Sequence, residues 1–198
     1  DAMREVVLAI TNKQVDAALT PNLAYLAVKQ AFIDLAAGTA SDEPRHRMPL
    51  DKGSFNVMWA ASTPLNSIAL KAYPIVRSDV RQAAGIHISL YNRATGSLDA
   101  IVRGDVLGQI RTGAASAVVA DLVANPKPSV LTVFGTGFQA RGQLTAFLNH
   151  FPSIQKAYLL GRNAGALENM LADYRLLFPD CSFETPPLEE ALGDSDLV

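Results

Sequence analysis

Val130-Leu131-Thr132-Val133-Phe134-Gly135-Thr136-Gly137-Phe138-Gln139-Ala140 reads as a short buried strand that ends in G-x-G-x-x-A and reopens as a helix. Each small residue has its own task. Gly135 permits the tight turn, Gly137 lets backbone approach a pyrophosphate, and Ala140 lets the helix pack closely on the strand. The helix start then offers unpaired N–H groups and the positive end of its dipole to phosphate oxygens. A strand-to-helix turn without a ligand has the same local pattern, so the flanking segments decide between the two. Downstream, the pattern predicts a helix to about His150, a strand over Ala157–Leu160, a helix over Ala164–Phe178, a strand over Cys181–Glu184 and a further helix from Leu188. That βαβαβ alternation is a parallel sheet with crossover helices, the context in which the glycine pattern binds dinucleotides.

Upstream, Asn125-Pro126-Lys127-Pro128-Ser129 is a linker, because its prolines forbid helix continuation. Before it, Asp105 to Ala124 is rich in alanine and valine and reads as a long, largely buried helix. Residues 44–103 carry short apolar runs (Phe55–Ala61, Ser67–Tyr73, Ile86–Tyr91 and Leu98–Val102), with a hairpin connection at Asn92-Arg93-Ala94-Thr95-Gly96. They predict a mainly antiparallel sheet. At the N-terminal end Thr11 can cap a helix through Leu19, and Thr20-Pro21 starts another that ends at Gly38. The stripe Leu23, Leu26, Ala27, Gln30, Ala31 and Ile33-Asp34 is the expected buried face of that helix.

The expected fold class is therefore α/β: an antiparallel-sheet dimerisation domain with N-terminal helices over residues 1–124, and a Rossmann dinucleotide-binding domain from residue 125 to 198. Asp194-Ser195-Asp196-Leu197-Val198 reads as the start of a fourth strand, so only the first half of that Rossmann domain is expected within the chain. The 198 residues are 49% hydrophobic and 18% charged, which excludes intrinsic disorder. With 17 basic against 19 acidic residues there is no basic surplus for a nucleic acid backbone. No run of about 18 uninterrupted apolar residues predicts a membrane span, and no secretory signal is read. The single Cys181 excludes an intramolecular disulfide framework and a zinc cluster, and fits the cytoplasm.

Beyond the glycine loop, the end of the second parallel strand carries Gly161-Arg162-Asn163, where an acidic residue would accept bonds from a ribose hydroxyl. A guanidinium there can stack on adenine and pair with a 2′-phosphate, which favours NADP(H), with NAD(H) as the alternative. Arg111-Thr112-Gly113-Ala114-Ala115-Ser116 suits anion contact, and equally suits close helix packing. Lys71, between apolar neighbours, is either an acid–base group tuned by desolvation or a solvent-facing strand lysine. Arg45 and Arg47 are either a carboxylate clamp or a solvated basic turn. His46, His87 and His150 show no metal-ligand spacing, so no metal is expected.

The N-terminal helix pair, the arginine after proline, the strand lysine, Thr95-Gly96, the run Leu107-Gly108-Gln109-Ile110-Arg111-Thr112-Gly113-Ala114-Ala115-Ser116 and the loop Gly135-Thr136-Gly137-Phe138-Gln139-Ala140-Arg141 together resemble the ornithine cyclodeaminase/μ-crystallin family. The resemblance covers essentially the whole chain, and the R-T-G-A-A-S block is its specific element. It implies a homodimer joined through the antiparallel-sheet domain, with a small amino or imino acid held between two domains. By the same resemblance Arg45 and Arg111 bind the substrate carboxylate, Lys71 contacts the substrate and moves a proton, and Thr112 lies beside the cofactor phosphates. Gly135, Thr136, Gly137, Phe138, Gln139, Ala140, Arg162 and Asn163 complete the expected cofactor contacts. The family's catalytic aspartate is expected beyond Val198, so the chain alone is expected to be inactive. The expected function is an NAD(P)-dependent oxidoreductase that reduces a cyclic imine such as Δ1-pyrroline-2-carboxylate or dehydrogenates an amino acid. Ornithine cyclodeaminase, releasing proline and ammonia from ornithine, and a non-catalytic NADPH-dependent binding protein of μ-crystallin type are the alternatives. Neither nucleic acid nor membrane is an expected partner.

Overall fold

The structure, a computed structural model, describes residues 6–76 and 85–198. Contacts divide the chain into two compact units, Asp1–Thr20 with Lys29–Gly108, and Pro21–Val28 with Gln109–Val198. The change falls at Gly108/Gln109, inside a continuous helix, and not in the proline linker at 124/125. From Gln109 onward that helix packs on the second unit's own elements.

The first unit contains β1 (Leu8–Ile10), α1 (Asn12–Ala18), β2 (Ala40–Asp42), β3 (His46–Leu50), β4 (Gly53–Ser62), β5 (Ser67–Val76), β6 (His87–Asn92) and β7 (Leu98–Arg103). Its sheet runs β1-β7-β6-β5-β4-β2, with β3 also on β4; every pairing is antiparallel except β1 with β7. The predicted hairpin closes with Gly96 at φ 76°, a backbone conformation that side chains disfavour. β1, β2 and β3 were not legible as strands. β3 contains Pro49, tolerated because β3 pairs only with β4. The basic segment is therefore no turn at Arg47, which lies within β3.

Thr11 caps α1 through a reciprocal pair with Gln14, the Thr11 hydroxyl accepting from the Gln14 N–H at 3.3 Å and the Gln14 side chain accepting from the Thr11 N–H at 2.9 Å. This orients α1 so that Val15 packs on Ala100 and Val102 of β7. Burial raises the pKa of Asp105, but bonds from Asn12 (3.1 Å), Arg103 (3.0 Å) and the Ile86 N–H (3.2 Å) outweigh it and hold the carboxyl below its ordinary range.

α2 (Pro21–Ala36) corrects the sequence reading. Of the expected stripe only Asp34 is buried; Leu23, Leu26 and Ile33 are 51%, 53% and 52% exposed, while Ala24 and Tyr25, outside the stripe, are buried. Polar partners set the helix rotation. The Tyr25 hydroxyl donates to Asp121 at 2.7 Å and its ring stacks on His150 at 3.9 Å. Farther along, Asp34 accepts from Gln30 at 2.8 Å.

The long helix α3 (Gly104–Val123) forms as predicted, but it is buried on one side only. Gly113, Ala114, Ala117, Val118 and Ala120 are buried, whereas Leu122 and Val123 are 75% and 77% exposed. Among the described residues it is the one helix long and apolar enough to cross a membrane by length and composition; here Ala117 and Val118 pack on Tyr25.

The rest of the second unit is β8 (Val130–Phe134), α4 (Phe138–His150), β9 (Lys156–Leu160), α5 (Ala164–Leu177), β10 (Ser182–Glu184) and α6 (Leu188–Asp194). The three strands are parallel in the order β10-β9-β8, as βαβαβ requires. Leu131, Val133, Ala157, Leu159 and Phe183 share a core with Leu144, Leu148, Leu167, Met170 and Tyr174 of α4 and α5. On the other edge of β8, Leu197 forms a parallel bridge with Leu131. A fourth strand position beside the first makes the C-terminal end of β8 the place where strand order reverses, the crevice in which open α/β sheets bind ligands.

Asp196 fixes the entry to β8. Its carboxylate accepts from the Ser129 N–H (2.6 Å), the Ser129 hydroxyl (2.9 Å) and the Val130 N–H (3.0 Å), and the two backbone bonds lead in holding its pKa below the ordinary value. A carboxyl with a lowered folded pKa stabilises above its unfolded pKa, and the contribution disappears as pH falls through the folded value. Asp196→Ala is therefore expected to lower the melting temperature at pH 7, with the gap from the parent closing as pH falls below the ordinary carboxylate range. Thermal melts of both proteins across that range check this.

Candidate active site

The second unit presents the glycine loop in the form that phosphate binding needs. Gly135, at φ 96°, turns the chain off β8 and donates its N–H to the Leu160 carbonyl at 2.7 Å. Gly137 is the N-cap of α4 at φ −80°, and no side chain caps the helix. The first N–H groups of α4, at Phe138, Gln139 and Ala140, thus open the helix without a side-chain acceptor. A Cβ built on Gly137 meets nothing within 4 Å. Open space in front of uncapped N–H groups fits a diphosphate.

The loop after β9 lies against this one: a Cβ on Gly161 would come within 2.9 Å of the Thr136 methyl. Arg162 is exposed and has no polar partner among the described residues. The Asn163 side chain accepts from the Ala166 N–H at 2.9 Å and caps α5, so its amide oxygen is already engaged.

Arg111 is exposed on α3, and Thr112 is half-buried beside it. Arg111 lies about three helical turns before the proline linker. Gly113 explains the small residues of the block. A Cβ there would collide with the Gly142 carbonyl oxygen and stand 2.8 Å from the Ala146 Cβ, so α3 and α4 meet backbone to backbone.

In the first unit, Arg45 and Lys71 converge on one aromatic ring. The Arg45 guanidinium carbon lies 6.0 Å and Lys71 Nζ 5.2 Å from the centre of Tyr73, within cation–π range. Lys71 and Tyr73 alternate on one sheet face, with Asn56 opposite Tyr73 and Met58 opposite Lys71. Arg47 is already anchored, its Nε donating at 3.2 Å to the fully buried Asn56, whose amide donates in turn to Ser54 at 3.1 Å. Sequence reasoning overlooked Tyr73 and Asn56. The period-two spacing of Lys71 and Tyr73 was the available signal.

Other chemistry has little to work with. Among the described residues no group of three or more His, Cys, Asp or Glu could hold a metal ion. Burial pushes the Cys181 thiol up to about 11, leaving it protonated and unreactive at neutral pH.

The family model described as the ornithine cyclodeaminase/mu-crystallin family matches residues 5–178. A Delta(1)-pyrroline-2-carboxylate reductase from Colwellia psychrerythraea is 35% identical over 98 residues, covering 50% of this chain and 31% of its own length. The ketimine reductase mu-crystallin of Mus musculus is 29% identical over 150 residues, 74% of this chain and 46% of its own. Among solved structures, the Thermococcus litoralis Delta(1)-pyrroline-2-carboxylate reductase in complex with NADH and L-proline superposes with a TM-score of 0.87 at 22% identity, over 96% of this chain and 61% of that one. The fold is shared across that span. The chain spans less than half the length of these curated relatives.

Gly137 separates folding from binding. Its φ is open to alanine and its surroundings are empty, so Gly137→Ala is expected to fold as the parent does, the gain from a less flexible unfolded chain being offset by alanine's poorer fit as an N-cap. The added methyl occupies the space in front of the helix, so affinity for a nicotinamide dinucleotide is expected to fall about tenfold or more, some 1.4 kcal/mol. Melting curves and titration of the full-length protein with NADH and with NADPH check both; unchanged affinity for either would contradict the cradle.

Proposed function

The chain belongs to the ornithine cyclodeaminase/mu-crystallin family, and from that premise we propose that it is the core of an NADP(H)-dependent reductase acting on a cyclic imino acid of the Δ1-pyrroline-2-carboxylate class. The observation that carries the reading is the placement, within one unit, of an uncapped glycine loop on α4 and of Arg111 and Thr112 on the helix packed against it. The relatives named as imine reductases, and the solved neighbour holding NADH and L-proline, support the substrate and cofactor class.

In this reading the N–H groups at Phe138, Gln139 and Ala140 receive the diphosphate, Gly135 and Gly137 keep side chains out of its path, and Thr136 and Thr112 flank it. Arg162 takes the 2′-phosphate, which a carboxylate at that place would repel. When bound, the reduced nicotinamide supplies the hydride that turns the imine C=N bond into an amine. Arg111 holds the substrate carboxylate with a planar fork that fixes orientation as well as charge, and Arg45 is assigned carboxylate contact by the family resemblance alone. Lys71 delivers a proton to the ring nitrogen, its ammonium steadied on the Tyr73 ring face. Arg162, standing where an acid would suit NAD, favours this reading over ornithine cyclodeaminase. A μ-crystallin-type binding protein would hold the same cofactor without imine turnover.

A homodimer and a cytoplasmic setting belong to the same proposal. Trp59, Leu70, Ser89 and Ile101 form a row across β4, β5, β6 and β7 on the sheet face opposite Lys71, with Trp59 39% and Ile101 40% exposed. A second copy laid on that face would cover it.

The test is imine-dependent NADPH oxidation by the full-length protein. Arg111→Lys keeps the charge and loses the fork, and a charge-assisted hydrogen bond is worth roughly 1.5–3 kcal/mol. kcat/KM is expected to fall by about one to two orders of magnitude with NADPH affinity retained. Parent-like turnover would remove Arg111 from the clamp. Separately, Arg162→Ala is expected to erase a preference for NADPH over NADH in direct titrations; equal affinities in the parent would contradict the 2′-phosphate assignment.

A further inference from the structure

Gln109 has no task in the reading above. It precedes Arg111 by two positions on α3, and its side-chain amide donates to the main-chain carbonyl of Phe138, the first residue of α4 after the glycine loop. Around this bond the two helices touch through glycines. A Cβ on Gly142 would stand 2.6 Å from Gln109 Cγ and 3.1 Å from its carbonyl oxygen, and one on Gly113 would overlap the Gly142 carbonyl.

Ordinary helix crossings are locked by side-chain ridges seated in grooves. A glycine crossing has no such ridges. It sets how closely the rods approach. At the far end of α4 His150 meets Asp121 of α3 at 3.2 Å; at the end beside the glycine loop the directed hydrogen bond from the Gln109 side chain to the Phe138 backbone holds the register. Residues two apart on a helix point roughly 200° apart. With Gln109 turned to α4, Arg111 therefore projects to the other side, where it is exposed.

Building on the proposed function, we infer that Gln109 is a positioning residue: its bond to the Phe138 carbonyl fixes the register of α3 on α4, and thereby the placement of Arg111 relative to the glycine loop. Gln109 touches neither substrate nor cofactor in this assignment. It acts through Arg111.

The test uses the full-length protein with Gln109→Met, which keeps length and volume and loses the donor, and Gln109→Glu, which turns an acceptor toward the carbonyl. Loss of one neutral hydrogen bond is about 1 kcal/mol, a factor near five. kcat/KM for the imine is expected to fall about fivefold in the methionine variant and further in the glutamate variant, while NADPH dissociation constants stay within about twofold and the melting temperature falls by no more than the few degrees that one hydrogen bond accounts for. Because Gln109 works through Arg111, the Gln109→Met/Arg111→Lys double variant is expected to be no worse than Arg111→Lys alone. Parent-like kcat/KM in both single variants overturns the inference. So does a multiplicative double variant, which marks Gln109 as independent of Arg111, or a larger fall in melting temperature with NADPH affinity lost in step, which marks it as structural only. A parent without imine-dependent turnover overturns the proposed function and the inference with it; an active parent with silent Gln109 variants overturns the inference alone.

Discussion

Two helix backbones in contact, at Gly113 of α3 and Gly142 of α4, are the constraint on which the second unit is built. Any side chain at either position would force the rods apart. With the rods together, the helix bearing Arg111 and Thr112 lies along the helix whose first N–H groups face the open space at Gly137. The R-T-G-A-A-S run thus joins two requirements in one short segment. Its first residues carry the charge and the hydroxyl, and its small residues let α3 approach α4 backbone to backbone.

The parallel strands position that helix start. β8 is flanked by β9 on one edge and bridged to Leu197 on the other, so the loop from Gly135 leaves the sheet where neighbouring connections diverge. Hydrogen bonds do much of the fixing: Gly135 to Leu160, Ser129 and Val130 to Asp196, and Thr132 to Ser195 at 2.6 Å beneath α6. Buried polar groups such as Thr132 are tolerated because each has a partner.

The parallel half was readable because its signals are local. A glycine pattern after a strand, a linker with two prolines and apolar runs of strand length each carry their meaning within a few residues. The antiparallel strands β4, β5, β6 and β7 were readable for the same reason. Features set by distant partners were not. The rotation of α2 is decided by Tyr25 meeting Asp121 and His150 far along the chain, so its apolar stripe pointed to the wrong face. β3 is a strand only because β4 offers it an edge, against the local evidence of Pro49. Arg45, Lys71 and Tyr73 become a group only once β5 is paired in register. Gln109 carried no signal in composition or period; its meaning lies in a bond across a helix crossing.

The central claim is that this fold holds a reduced nicotinamide dinucleotide and a cyclic imino acid for direct transfer between them. Reducing Δ1-pyrroline-2-carboxylate with the full-length protein and NADPH deuterated on one face of nicotinamide C4, with the opposite label as control, tests it most directly. The account predicts one deuterium at the α-carbon of the proline formed, from one of the two labelled cofactors only. NADPH consumption that leaves the α-carbon unlabelled with both, or no consumption that depends on the imine, would contradict it.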